Sequence, residues 1–343
     1  MIDWVTAIVP CTHPHLETGV VMSIDPTGCL EWSAPKRLPI LGSHDSRIAI
    51  KSDGSAGPGL ASHLIISGNP SKFLQGHNIF GSDDLVALMH DTYRNICASL
   101  QLAPLLPETE AVRAGEYRVT RVDINYMFEL PRREDVPAWL RAAEYKSKTR
   151  HGRPHSKGST LYWGKGSKRW EMLAYDKAEE VKKPRHRLPD TLIQTPLLAW
   201  IDNKLRIELR LKSKQLDELN MSLAKSFTPH TVMTTFFAYL GRLEMTENIA
   251  LSTDMLMQIP QRLRSTYNLW KDGHDLRFNM SRNTFYKHRR ELLEYGIDIH
   301  IRQDRSDTSN VVPLVRVLEA KPASIPGWAF ELELIHPSAR AAS

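Results

Sequence analysis

The chain has 343 residues, 41% hydrophobic and 24% charged, with a formal net charge of +6. That is globular composition, long enough for one large domain or two ordinary ones and for a core that needs no disulfides. Cys11, Cys29 and Cys97 are scattered and odd in number, which excludes a disulfide framework or metal-ligand spacing and fits a reducing compartment. The opening "MIDWVTAIVPCTHPH" lacks the basic stretch of a signal peptide, and no apolar run approaches the ~20 residues of a membrane helix, so a cytoplasmic protein is expected.

The first 70 residues read as short strands. "TGVVMSI" and "CLEWSA" flank the turn "DPTG", and "SRIAIKS" and "HLIISGN" alternate with period two. "SDDLVALMHDTYRNICASLQL" predicts a helix, with Ser82 as N-cap and an apolar stripe through Leu85, Leu88, Met89, Ile96 and Leu100. "EYRVTRVDINYMFEL" is rich in β-branched and aromatic residues and predicts a strand. "REDVPAWLRAAEYKSK" predicts a helix, and "KTRHGRPHSKGS" a basic loop. "STLYWGKGSKRWEMLAYDKAEEV" reads as two strands, or a strand and a helix, around "GKGS". "KLRIELRLK" is a further strand. From about residue 215 helical periodicity dominates, in "SLAKSFTPHTVMTTFFAYLGRL" and "SRNTFYKHRRELLEYG". The expected organisation is a sheet-rich part over 1–215 and a helical part over 216–343.

Two strands carry polar faces. Alternation puts Arg121, Asp123 and Asn125 on one side of the first, and Arg206, Glu208 and Arg210 on one side of the second. With the apolar sides packed on helices, both polar sides point the same way. Asp123 and Glu208 can then converge on a hard divalent cation such as Mg²⁺ or Mn²⁺; the alternative is a solvated face of cross-strand ion pairs.

Thirteen lysines and arginines lie between Lys146 and Arg187, against only Glu171, Asp176, Glu179 and Glu180. Tyr175 sits among them. A phenol with pKa ~10 is a poor nucleophile at neutral pH, but basic neighbours favour its phenolate and a metal on a scissile phosphate would ease attack. The alternative is a packed tyrosine with a wet hydroxyl; Tyr126, Tyr145 and Tyr162 compete for the role. Lys177 shares the face of Tyr175 if the segment is a strand. Lys168 and Arg169, with Lys165 and Arg153 nearby, are placed to hold DNA phosphates. Trp163 and Trp170 can stack on unpaired bases or belong to the core. His77 and Asn78, in "LQGHNIFG", occupy a glycine-bounded turn that is either a metal or phosphate contact or a satisfied corner. "MSRNTFYKHRRELLEYGI" is a capped helix whose Arg282, Lys287, Arg289 and Arg290 suit a DNA groove or a solvated basic face.

"KFLQGHNIFGSDDL", "VTRVDINYMF", "STLYWGKGSKRWEMLAYDK", "LRIELRLK", "MSRNTFYKHRRELLEYGI" and "NVVPLVRV" together resemble the gene II replication initiators of filamentous bacteriophages, in the family's order across residues 72 to 317. The resemblance implies a rolling-circle initiator. Such an enzyme nicks one strand of double-stranded phage origin DNA, joins a tyrosine to the 5′ phosphate, and later cuts and religates the displaced single strand. It implies Mg²⁺, a host helicase and polymerase as partners, and action in the host bacterial cytoplasm, as a possible oligomer on DNA. The family's nucleophilic tyrosine maps onto Tyr175. The histidine–hydrophobe–histidine metal motif of many rolling-circle initiators is absent; the strand expected to carry it is "RVDINYM", with Asp123 in place of a histidine. The metal set expected is therefore Asp123 and Glu208 from strand geometry, with His77 or Asp176 as third ligand. The fold expected is α+β: an antiparallel sheet with helices on one face, then a helical C-terminal part with "NVVPLVRVLEA" as the strand of a winged helix. A non-catalytic origin-binding regulator is the alternative function. A recombinase fits poorly, because its tyrosine normally follows its catalytic arginines and histidine near the C-terminus.

Overall fold

The chain opens with a strand, β1 (Ile2–Pro14). Val5, Ala7, Val9 and Cys11 alternate into the core while Trp4, Thr6 and Ile8 turn to the other side, the period-two pattern of a strand covered on one face. The computed structural model describes residues 1–149, 152, 154–184, 186–245, 259–271, 274, 276–293, 295, 297, 299–300 and 321–340.

β2 (Val20–Ile24) and β3 (Leu30–Pro35) pair around the "DPTG" turn, where Asp25 accepts from the amides of Thr27 and Cys29. Then come β4 (Leu38–Leu41), β5 (Arg47–Asp53) and β6 (Leu60–Gly68). Next are α1 (Pro70–Gln75), α2 (Leu85–Ser99), α3 (Leu106–Arg113), β7 (Arg118–Glu129) and α4 (Asp135–Lys146). They are followed by β8 (Ser147–Lys148), β9 (His155–Lys157), β10 (Thr160–Trp163) and β11 (Trp170–Asp176). The short helices α5 (Lys177–Val181), α6 (Asp190–Ile193) and α7 (Leu197–Ile201) lead into β12 (Lys204–Lys212). α8 (Ser213–Glu218), α9 (Pro229–Leu240) and β13 (Glu244–Met245) follow, β13 pairing with β8. The cap of α2 is Asp84, whose carboxylate accepts from Ala87 N, and not Ser82, which instead accepts from Asp84 N.

Nine strands form one antiparallel sheet in the order β4-β5-β6-β1-β7-β12-β11-β10-β9. The apolar sides of β7, β10, β11 and β12, with those of β1, β5 and β6, share one core with α2, α3, α4, α8 and α9. The opposite face carries the polar residues. A second cluster closes one end of that face: Met127 and Phe80 pack with α5, α6, α7 and the segment Gly327–Glu331. This is the α+β architecture expected, an antiparallel sheet whose core helices lie on one face, joined to a helical C-terminal region.

The core of the sheet runs past residue 215, because Leu216, Phe236, Tyr239 and Leu243 all belong to it. A separate cluster spans Ile259 to Ile299 and unites the helices Gln261–Lys271, Leu276–Asn279 and Arg282–Leu293. Residues 321–340 return to the sheet: Ala323 N donates to Met127 O, and Leu334 and Ile335 join the second cluster. The strand expected over "NVVPLVRVLEA" lies outside the described residues.

Candidate active site

Pairing registers decide which side chains meet. Glu171, Leu173 and Tyr175 of β11 lie opposite Arg210, Glu208 and Arg206 of β12. Those three in turn lie opposite Asp123, Asn125 and Met127 of β7. Trp4 of β1 is paired with Asp123, and Thr160 and Tyr162 of β10 with Tyr175 and Leu173. Paired residues share a face, so all of these project from the polar side. Of these, Trp4, Asp123, Thr160, Tyr162, Leu173, Tyr175, Glu208 and Arg210 line a cleft of about 730 Å³ with Asp3, Arg47, Lys72, Asn78, Lys157, Lys177, Glu180 and Lys183.

Asp123 and Glu208 converge, as alternation predicts. Arg121 binds Asp123 through Nε at 2.8 Å and Nη2 at 2.6 Å. Arg210 lies between the two acids, with Nε 2.7 Å from Glu208 and 3.4 Å from Asp123. Burial pushes the Asp123 carboxyl up to about 7, the charge of Glu208 adding to it while Arg121 and Arg210 oppose. On the same face, opposite Glu208 and two residues on from Asp123, Asn125 is fully buried and neither atom of its amide has a partner among the described residues. Sequence reasoning put Asn125 on this face without giving it a role.

The Tyr175 hydroxyl donates to Glu208 Oε2 at 3.4 Å. The ring is 6% exposed and its hydroxyl reaches the acidic pair. Basic surroundings were expected to favour phenolate. Burial instead holds the phenol well above its usual pKa, with Arg206 only partly offsetting it. The resting group is a neutral phenol.

Lys177 is not on the strand, because β11 ends at Asp176, which caps α5 by accepting from Glu179 N. It reaches the cleft nonetheless. Its ammonium donates to Asn78 Oδ1 at 3.0 Å and pairs with Glu180, and burial, with Arg206 nearby, lowers its pKa. Under it lies a buried network. Arg206 donates to Asp3 Oδ1 at 2.8 Å and to Asn78 O at 2.6 Å. Asp3 also accepts from Asn69 and Asn78. Burial would raise Asp3, but Arg206 and the other donors hold it below the usual carboxylate range.

His77 does not join the acids. One ring nitrogen contacts Leu334 O at 2.8 Å and the other accepts from Ile79 N at 3.2 Å, so neither lone pair is left for a metal. It does not line the cleft; it is the satisfied corner weighed from sequence. Gly76 ends α1 at φ 84°, and a Cβ there would stand 2.5 Å from the His44 ring, which fixes glycine at the corner. Asp176 is spent as well, paired with Arg133 at 2.6 Å. Trp163 and Trp170 are core residues, 0% and 4% exposed, and cannot stack on bases.

Lys165, Lys168 and Arg169 are exposed on the β10–β11 turn. Lys165 covers the Tyr162 ring at 5.3 Å, and Arg169 is paired with Glu218. Arg153 lies outside the described residues. Arg282, Lys287 and Arg290 are exposed on the helix Arg282–Leu293, whose start is capped by Ser281 accepting from Thr284 N. Arg289 is half-buried on the same helix. Asp3 escaped the sequence reading, which placed Asn78 in the glycine-bounded turn and Arg206 on the polar face without joining them. The three are brought together from distant segments, and only the unpaired look of an arginine inside "LRIELRLK" hints at a buried partner.

Residues 1–230 match the N-terminal family of the phage gene II replication-associated protein, and residues 251–335 match its C-terminal family. The replication-associated protein of Enterobacteria phage I2-2 is 49% identical over 328 residues, covering 95% of each chain. Those of Enterobacteria phages M13 and f1 are each 23% identical over 317 residues, covering 77% of this chain and 76% of theirs. A cleft on the polar face of an antiparallel sheet thus sits in a sequence that two family models match along most of its length: the chain belongs to the gene II replication-associated protein family of filamentous phages.

Proposed function

We propose that the chain initiates rolling-circle replication of a filamentous phage genome. It nicks one strand of the double-stranded origin and later cuts and rejoins the displaced strand. The observation that carries this is a tyrosine hydroxyl on a polar sheet face, in contact with one of two converging carboxylates, within a chain of this family.

The Tyr175 oxygen attacks the scissile phosphorus. A bond forms between them and the bond to the 3′ oxygen breaks. The phenol proton passes to Glu208, its hydrogen-bond acceptor, and the leaving oxygen takes a proton to become the 3′ hydroxyl that primes synthesis. One phosphodiester is exchanged for a phosphotyrosine ester of similar energy, so rejoining is the same step reversed and needs no nucleotide. Lys177 holds positive charge in the cleft beside Tyr175, where negative charge builds on the phosphate.

Two converging buried carboxylates and a buried amide without a partner suit a hard divalent cation. Asp123 and Glu208, with Asn125, would hold Mg²⁺ or Mn²⁺, and Arg210 must yield the space between the acids. Such an ion would neutralise charge on the non-bridging phosphate oxygens. The exposed Arg282, Lys287 and Arg290, together with Arg289 on the same helix, supply a second, duplex-binding surface. Lys165, Lys168 and Arg169, exposed on the β10–β11 turn, hold phosphates. Action is in the host cytoplasm, with host helicase and polymerase. Among the described residues no helix is long and apolar enough to cross a membrane.

The test is incubation with supercoiled origin plasmid and Mg²⁺. Open circles carrying a Tyr175 peptide on the 5′ end, identified by mass spectrometry, are the expected result. Protein on the 3′ end, or only a shift in mobility, rejects it.

A further inference from the structure

We infer that the cleft is a track for single-stranded DNA, with Trp4 and Tyr162 as base-stacking platforms on either side of the Asp123–Glu208 pair. The inference rests on the reading of this cleft as a DNA site and adds what holds the strand there.

Trp4 is 36% exposed and projects from β1 beside Asp123. The Arg121 guanidinium lies 5.3 Å from its ring centroid and is itself held by Asp123. One cation therefore fixes the aromatic plane to the acidic pair. Tyr162 projects from β10, beside Leu173, in the row that contains Glu208. Its ring is partly exposed and has Lys165 over it at 5.3 Å. The cleft thus carries an aromatic–cation pair on each side of its acids. Between β1 and β10 lie β7, β12 and β11, a span of four strand spacings or ~19 Å, room for a few unstacked nucleotides.

Charge fits the same occupant. The acids of the floor are already paired: Asp3 with Arg206, Asp123 with Arg121, Glu208 with Arg210 and Glu180 with Lys177. At one end of the cleft stand Arg47 and Lys72, and at the other Lys157 and Lys183. Asp45 is the one lining acid without an ion pair among the described residues. A strand laid across the sheet would therefore meet cations at both ends and neutralised acids between. Single-stranded DNA offers both features, a phosphate chain for the cations and free base faces for the rings. Duplex DNA hides the base faces.

The test is fluorescence anisotropy on the full chain carrying Tyr175→Phe, without divalent ion. The probe is a labelled mixed-sequence single strand of about 12 nucleotides, the duplex of the same sequence serving as control. Trp4→Ala and Tyr162→Ala should each weaken single-strand binding about tenfold or more, while Trp4→Phe and Tyr162→Phe keep it and duplex binding is unchanged. Strands carrying iodouracil should photocross-link to Trp4 or Tyr162 in the protein with both rings intact. Unchanged single-strand affinity in both alanine variants overturns the track, as does an equal loss on duplex, or cross-links that map only elsewhere. No cleavage is read, so a different nucleophile would leave this result standing, and failure of the track leaves Tyr175 in its role.

Discussion

Tyr175 and Glu208 are diagonal neighbours on adjacent strands, the phenol donating to the carboxylate at 3.4 Å. Because burial keeps that phenol protonated, the nucleophile needs an acceptor at the moment of attack. Tyr175→Phe removes the hydroxyl and keeps the packed ring. It should bind origin DNA as the parent does and yield no covalent protein–DNA adduct on denaturing gels. Glu208→Gln keeps the shape and loses the proton acceptor; adduct formation should slow by about 10²–10⁴. Adduct at the parental rate in either variant removes that residue from the chemistry.

The acidic pair makes a separate prediction about metal. Mn²⁺ binding, followed by paramagnetic resonance of the free ion, should shift to at least about tenfold higher concentration in Asp123→Asn and in Glu208→Gln, a cost of ~1.4 kcal/mol or more. His77→Gln should leave the Mn²⁺ midpoint where it is, since both ring nitrogens serve the backbone. Parental midpoints in both acid variants would dismiss the pair as a metal site.

The sheet was largely legible because period-two alternation is a local signal. "RVDIN" and "LRIELRLK" announce which side chains share a face, and the registers confirm that those faces meet. What alternation cannot supply is the partner of a residue that breaks it. Arg206 looks from sequence like any solvated arginine of a polar face, yet it is 0% exposed. Its partner Asp3 stands 203 residues away. The same blindness put Trp163 and Trp170 among possible base platforms. A tryptophan beside lysines reads as a nucleic-acid contact until the register shows which way the strand turns it. His77 misled differently: a histidine in a glycine-bounded turn has the local look of a ligand. Only the return of residues 321–340 supplies the carbonyl of Leu334 that occupies it.

Arg206 and Asp3 form a buried charge pair whose loss should be asymmetric. Arg206→Met leaves Asp3 buried with Asn69 and Asn78 and only the charge of Lys177, with no cation in contact, a loss of about 3–5 kcal/mol of stability. Adding Asp3→Asn to it should restore much of that, because the stranded charge is then gone. Urea midpoints of the two single variants and the double variant decide this. A double variant as unstable as the sum of the singles would show that the pair is not coupled.

His77 gives the chain a built-in acid sensitivity. Burial lowers its pKa from 6.5 to about 4, so the folded chain holds the imidazole neutral while the unfolded chain takes up a proton below pH 6.5. Where the unfolded state binds more protons, stability rises with pH. The contribution is therefore whole above the unfolded pKa and is lost as pH falls towards the folded value. The difference of about 2.5 units corresponds to roughly 3 kcal/mol. The neutral ring joins the α1 corner to Leu334, so acid should loosen residues 321–340 from the sheet before it affects the core around Phe236. His77→Gln cannot titrate; it should be less stable near neutrality but lose less between about pH 7 and about pH 4.5 than the parent does. Urea midpoints at the two pH values measure the difference in slope, and amide exchange across Ala323–Ile335 locates it. Equal slopes in the two proteins would mean that another group carries the acid response.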